Sequence, residues 1–192
     1  MYHPEALEPI VAFLRGIGMQ VEFGEGGLDG FLPGVNIRAG VIHVHPETLM
    51  GPGDLLHEAG HMIVLPRRYW PSMNRDMQAD IEALLAEQTA RDGTPDPVLV
   101  RAVRQGEIMA QAWSYAVVLH LGLPQECLFF PGSYKHMEYQ GIHPILAWIE
   151  RGTHYGQLDL AEAGFTGFSG MFAYMGENGL APFPQMAKWT LD

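Results

Sequence analysis

The chain carries a single cysteine, Cys127, so no internal disulfide can form, and that scarcity fits a reducing compartment. Cys127 itself reads as a small buried apolar residue. Long apolar runs are missing too. None approaches the ~20 residues a membrane helix needs, and the start, MYHPEALEPI, lacks the basic-then-apolar layout of a secretory signal. A cytoplasmic protein with no membrane partner is expected. Basic residues are scarce: 11 Lys and Arg stand against 22 Asp and Glu, for a net charge of −11. A field of that sign repels phosphate backbones and argues against nucleic-acid binding. The one tight basic pair, Arg67-Arg68, falls just past a predicted helix end, where cations are favoured anyway. There is no G-x-S-x-G, no glycine-rich phosphate loop and no C-x-x-C, so those chemistries have no motif to rest on.

What is present suits one folded unit. The 192 residues are 47% apolar and can bury a core of their own. A single domain over 1–192 is expected, and the 23 glycines and 14 prolines predict a loop-rich chain, most of all over 125–192. Leu7, Ile10, Val11, Leu14 and Ile17 repeat with a helical period over 4–17. MQVEF (19–23) reads as a strand, and GVNIRAGVIHVHP (34–46) as a hairpin turning at Arg38-Ala39-Gly40. Helical patterns follow over 51–64, 73–91 and 98–122, with shorter ones over 143–151 and 157–163. The stretch GFTGFSGMFAYMG has no clean period and reads as a packed loop or a lid.

The second predicted helix contains GPGDLLHEAGHMIV (51–64). On a helix, His57 and His61 share a face, and two imidazoles so placed can bind one zinc ion at about 2.0–2.1 Å each. Glu58 is turned about 100° from His57 around the axis. It can flank the metal without ligating it and take a proton from zinc-bound water, whose pKa the ion lowers to about 7. Leu55, Ala59, Met62 and Ile63 give the helix a buried side. Gly60 costs roughly 1 kcal/mol against alanine in a helix, which points to close approach by another backbone or a ligand.

A catalytic zinc needs a third protein ligand and an open position. Candidates are Asp76, Asp80, Glu82, Glu87, Glu107, His120, His136, Glu138, His143 and His154. Glu107 ranks first, because its helical face is otherwise Val100, Val103, Ala110, Gln111, Ser114 and Val118, where an unpaired carboxylate is costly. A salt bridge to Arg101 or Arg104 is the competing account. Asp76, Asp80 and Glu87 share a face that reads as solvated surface. Gln111, one turn beyond Glu107, could accept a hydrogen bond from a ligand histidine. His43 and His45 share one strand face, which reads as solvated. Tyr134, His136, His143, His154 and Tyr155 are each able to stabilise an oxyanion. Trp113 and Tyr115 read as core.

GVIHVHPETLMGPGDLLHEAGHMIV resembles the strand–loop–helix of ImmA/IrrE-type metallopeptidases, intracellular members of the zincin group, and EIMAQAWSYAVVLHLGLP (107–124) resembles their second active-site helix. The resemblance covers about residues 34–124. It implies His57, His61 and Glu107 as ligands of one Zn2+ ion and Glu58 as general base. Residues 67–97 are longer than the family's connection between these helices, the small-residue-plus-Asn or Asp pair after the glutamate is not clean, and no helix-turn-helix is visible. The fold expected is α+β and zincin-like, a small twisted sheet carrying the HExxH helix and a second metal-ligand helix. The function expected is zinc-dependent hydrolysis of amide bonds in a peptide or protein. A small-molecule amide hydrolase on the same scaffold, or a non-catalytic zincin-like binding module, are the alternatives.

Overall fold

The computed structural model describes residues 1–133 and 143–192. The order of regular elements is α1 (Leu7–Gly16), β1 (Gln20–Phe23), β2 (Val35–Arg38), β3 (Val41–Val44), α2 (Gly53–Ile63), α3 (Met77–Asp92), α4 (Pro97–His120), α5 (Pro144–Glu150) and α6 (Tyr155–Glu162). The architecture is α+β, as the patterning predicts.

The sheet has the order β1-β3-β2, with β1 parallel to β3 and β2 antiparallel to it. The β2–β3 turn falls at Ala39-Gly40, both with positive φ (48° and 77°), the combination that lets a two-residue turn follow the strand twist. Alternation puts Val21, Val35, Ile37, Ile42 and Val44 on one buried face. The other face carries Glu22, Asn36 and His43, where His43 Nδ1 lies 3.7 Å from Glu22 and Asn36 donates to the Gly26 carbonyl.

Helix α1 packs on β1 and α2, and Arg15 ties it down by donating to the Val21 carbonyl at 2.7 Å. Helix α2 buries Leu55, Leu56, Ala59, Met62 and Ile63 completely. Pro52 stands at its N-cap. Pro66 prevents continuation, and the Trp70 indole donates to the carbonyls of Met62 (2.8 Å) and Leu65 (3.2 Å) at the helix end. On its far side α2 meets α4, which in turn packs against α3 and α6. One hydrophobic cluster runs through these layers from Ala6 to Phe183.

The residues between the two central helices form α3, capped by the Asp76 carboxylate on the Ala79 amide. It starts at Met77, later than the apolar repeat over 73–91, because the cap and not the repeat fixes the helix start. Helix α6 begins two residues before the predicted 157 for the same reason, since the ring of His154 caps it through the Gly156 amide. The GFTGFSGMFAYMG stretch is packed only in part: Phe165 and Phe172 are buried and Thr166 donates to the carbonyls of Ala181 and Gln185, whereas Met171, Tyr174 and Met175 are exposed. Trp113 and Cys127 are fully buried and Tyr115 nearly so. Among the described residues, no helix is long and apolar enough to cross a membrane.

Candidate metal centre

The crossing of α2 over α4 makes the site, and Gly60 makes the crossing. A Cβ on Gly60 would lie 2.7 Å from Ala110 Cα, closer than two such carbons can approach. The two backbones therefore meet at Gly60 and Ala110. His57 and His61 flank Gly60 on α2, and Glu107 stands one turn before Ala110 on α4. The glycine that reads as a sign of close approach is the contact that brings the two segments together.

His57, His61 and Glu107 form a group that can hold a metal ion, each offering one ligand atom within 4.8 Å of the others. His57 Nε2 and His61 Nε2 are 3.2 Å apart. Glu107 Oε2 is 3.2 Å from His61 Nε2 and 3.6 Å from His57 Nε2. Two donors each about 2.0–2.1 Å from a tetrahedral ion lie about 3.3 Å from one another, so all three edges have the length one small cation requires. A single proton bridges only one edge of such a triangle, whereas one cation at its centre satisfies all three atoms. The imidazoles are 14% and 19% accessible and the Glu107 side chain 55%, so the cluster is open to solvent on the Glu107 side.

The electrostatics favour the ligand forms of two members. Burial, then the neighbouring His61, holds His57 at about 4, far below an ordinary histidine, so it is neutral near pH 7. Burial opposes ionisation of Glu107, but the hydrogen bond from His61, the charges of both imidazoles and the Gln111 amide outweigh it and hold the carboxyl well below its usual range. His61 is shifted the other way. Burial lowers it, yet the hydrogen bond and charge of Glu107 and the charge of Glu58 leave it raised.

Glu58 is 6% exposed. Burial, its largest influence, pushes it up to about 7 against the lowering effect of His61. Asp54, one turn earlier on α2, is also raised to about 7, by burial and then by the charge of Glu58. From sequence Asp54 reads only as a partner of the helix dipole. Its spacing of four from Glu58 is the signal that the two carboxyls interact.

Gln111 does not accept from a ligand histidine. Its amide nitrogen donates to Glu107 Oε1 at 2.8 Å, and its carbonyl oxygen lies 3.0 Å from His154 Nε2. His154, a candidate for ligand or oxyanion partner, is thus buried behind Glu107 and joined to it through Gln111. Glu107 itself is less enclosed than its apolar face suggests, because it stands at the rim of the crossing. Neither Arg101 nor Arg104 is paired with it; its ion-pair partners are the two histidines.

Among the described residues, the other carboxylate and histidine candidates do not join this group. Asp76 caps α3, Asp80 accepts from the Asn74 amide, and the His120 ring packs on Trp189. His143 Nε2 is 3.4 Å from Ser133 Oγ, and Tyr155 is exposed against the Phe172 ring. His45 bonds to Thr48. Tyr134, His136 and Glu138 lie outside the described residues.

Comparison with protein-family models, with curated proteins and with solved structures finds no match for this chain.

Proposed function

We propose that the chain is a zinc-dependent hydrolase of amide bonds, a cytoplasmic metallopeptidase on a zincin-like scaffold of the ImmA/IrrE type. The observation that carries this reading is the triangle of His57, His61 and Glu107, with edges of 3.2–3.6 Å and an open side. Two imidazoles and a carboxylate suit zinc, and three protein ligands leave the fourth position that a catalytic site keeps free. A zinc ion held there supplies Lewis acidity toward a carbonyl and acidifies water.

The residues around it divide the remaining work. Glu58 follows His57 directly on α2 and is lifted to about 7, where a carboxylate both accepts and returns a proton near neutral pH. It takes the proton from the attacking water and delivers it to the leaving nitrogen. The amide substrate we propose is a peptide or protein, entering from the solvent-open side at Glu107.

The test is a paired measurement on the full chain: bound metal by elemental analysis, and cleavage of a mixed peptide library read by mass spectrometry. The wild type should hold about one zinc ion per chain and cleave. Glu58→Gln should keep its zinc and lose at least about 10²-fold in rate. Absence of bound metal after loading, or cleavage indifferent to Glu58→Gln, defeats the reading.

A further inference from the structure

Resting on the metal-site reading above, we infer that His154 and Gln111 form a positioning relay that reserves one oxygen of Glu107 for the metal and keeps the fourth coordination corner open. The relay has a fixed direction. His154 Nδ1 accepts the Gly156 N–H at 3.2 Å, the contact that caps α6. A ring nitrogen that accepts carries no proton, so the proton of the neutral ring sits on Nε2. Nε2–H then donates to Gln111 Oε1 at 3.0 Å. With its oxygen so engaged, the Gln111 amide can turn only its NH2 toward Glu107, and it donates to Oε1 at 2.8 Å.

The consequence falls on Glu107. Oε1 is occupied by a donor, whereas Oε2 is the oxygen facing His61 at 3.2 Å and His57 at 3.6 Å. A carboxylate free at both oxygens can bind a cation through both and fill the position meant for water or substrate. Pinned at Oε1, Glu107 offers one. Without the His154 N–H, the Gln111 amide is free to reverse and aim its carbonyl at the carboxylate, which repels it. Both relay members are enclosed, His154 at 5% and Gln111 at 7% exposure, so water competes poorly for these bonds. Burial also keeps the ring neutral, lowering His154 to about 4.

Three variants of the full chain test this: Gln111→Met, which keeps length but removes the amide, His154→Phe, and His154→Gln, whose side-chain NH2 can replace Nε2–H. Two quantities are read. One is zinc affinity by competition with a chromophoric chelator. The other is the visible spectrum after loading with Co2+, whose d–d bands are intense in four-coordinate sites and weak in five-coordinate ones. Thermal unfolding of the metal-free proteins shows which variants fold. Wild type should give the intense spectrum. Gln111→Met and His154→Phe should weaken the bands and lose about 10–100-fold in affinity, and His154→Gln should restore most of both. Gln111→Met matching wild type in spectrum and affinity overturns the inference while leaving the metal site standing. His154→Gln as impaired as His154→Phe removes His154 from the relay. Should His154→Phe fail to fold, Gln111→Met decides. Wild-type protein that binds neither ion ends both readings.

Discussion

Asp54 and Glu58 stand one helical turn apart on α2, and each is raised to about 7 by burial and by the other or by Glu107. A carboxyl raised in the folded state keeps its proton there but loses it in the unfolded chain at about 4. Its contribution to stability is therefore present below the unfolded pKa and lost as pH rises through the folded one. In chelator-treated protein, Asp54→Asn should change little at pH 4 and stabilise at pH 8. Each pKa unit is worth about 1.4 kcal/mol, so the gain has a ceiling of several kcal/mol. Urea unfolding at the two pH values measures it, and an equal effect at both would refute the coupling. Cys127 gives a second expectation at this scale. Burial, then the nearby Glu126, pushes its thiol up to about 12, and it has no exposed surface. The thiolate is the reactive form, so a thiol reagent should modify folded protein only at the rate of unfolding, as a denaturant titration of the labelling rate will show.

At the scale of elements, the α2–α4 crossing decides whether a site exists. Gly60→Ala places a methyl 2.7 Å from Ala110 Cα, and a backbone carbon cannot swing aside as a side-chain tip can. Overpacking of this kind costs about 1–3 kcal/mol, while alanine returns about 1 kcal/mol of helix propensity. The net loss of stability is then about 2 kcal/mol or less. The larger effect is geometric: separating the helices lengthens the edges from Glu107 to both histidines, so zinc affinity should fall more than stability does. Calorimetric titration with zinc beside thermal unfolding of the metal-free protein distinguishes the two. This contact also marks how far the sequence can be read. The helical period reveals α1, α2 and α4, and the β-branched runs around Arg38-Ala39-Gly40 reveal the hairpin, because those signals are local. A glycine inside an amphipathic helix signals that some backbone comes close, but not that Ala110 supplies it. The parallel pairing of β1 with β3 has no local signature at all. Helical spacing puts Gln111 on the face of Glu107, but the partner expected for it is a histidine, whereas its amide donates to Glu107 itself. Spacing could not show that the amide's other end meets His154, which reaches α4 from the start of α6 by tertiary packing. Glu107 was singled out by an argument from burial, yet it sits at a rim where burial is partial.

Over the whole molecule, the candidate ligands stand on two helices, with residues 62–106 between His61 and Glu107, so an ion joining them would act on the global fold. A ligand that binds only the native state stabilises it by about 2.7 kcal/mol at one hundred times its Kd. For a chain of this size that is about 5–10 °C in Tm, and an excess of chelator should remove it. The increment has a pH dependence of known sign. Protons compete with the ion for the ligand atoms. His57, held at about 4, and Glu107, held low, are already deprotonated near neutral pH. His61 alone is raised above an ordinary histidine and so sets the limit. Metal-linked stabilisation should be larger at higher pH and weaken as pH falls through the raised pKa of His61, while His57 and Glu107 still stand ready to bind. Scanning calorimetry with and without zinc at pH 8 and pH 5.5 reads the difference directly. An increment as large at pH 5.5 as at pH 8 means that the proton on His61 does not compete with the ion, and that His61 is not among its ligands.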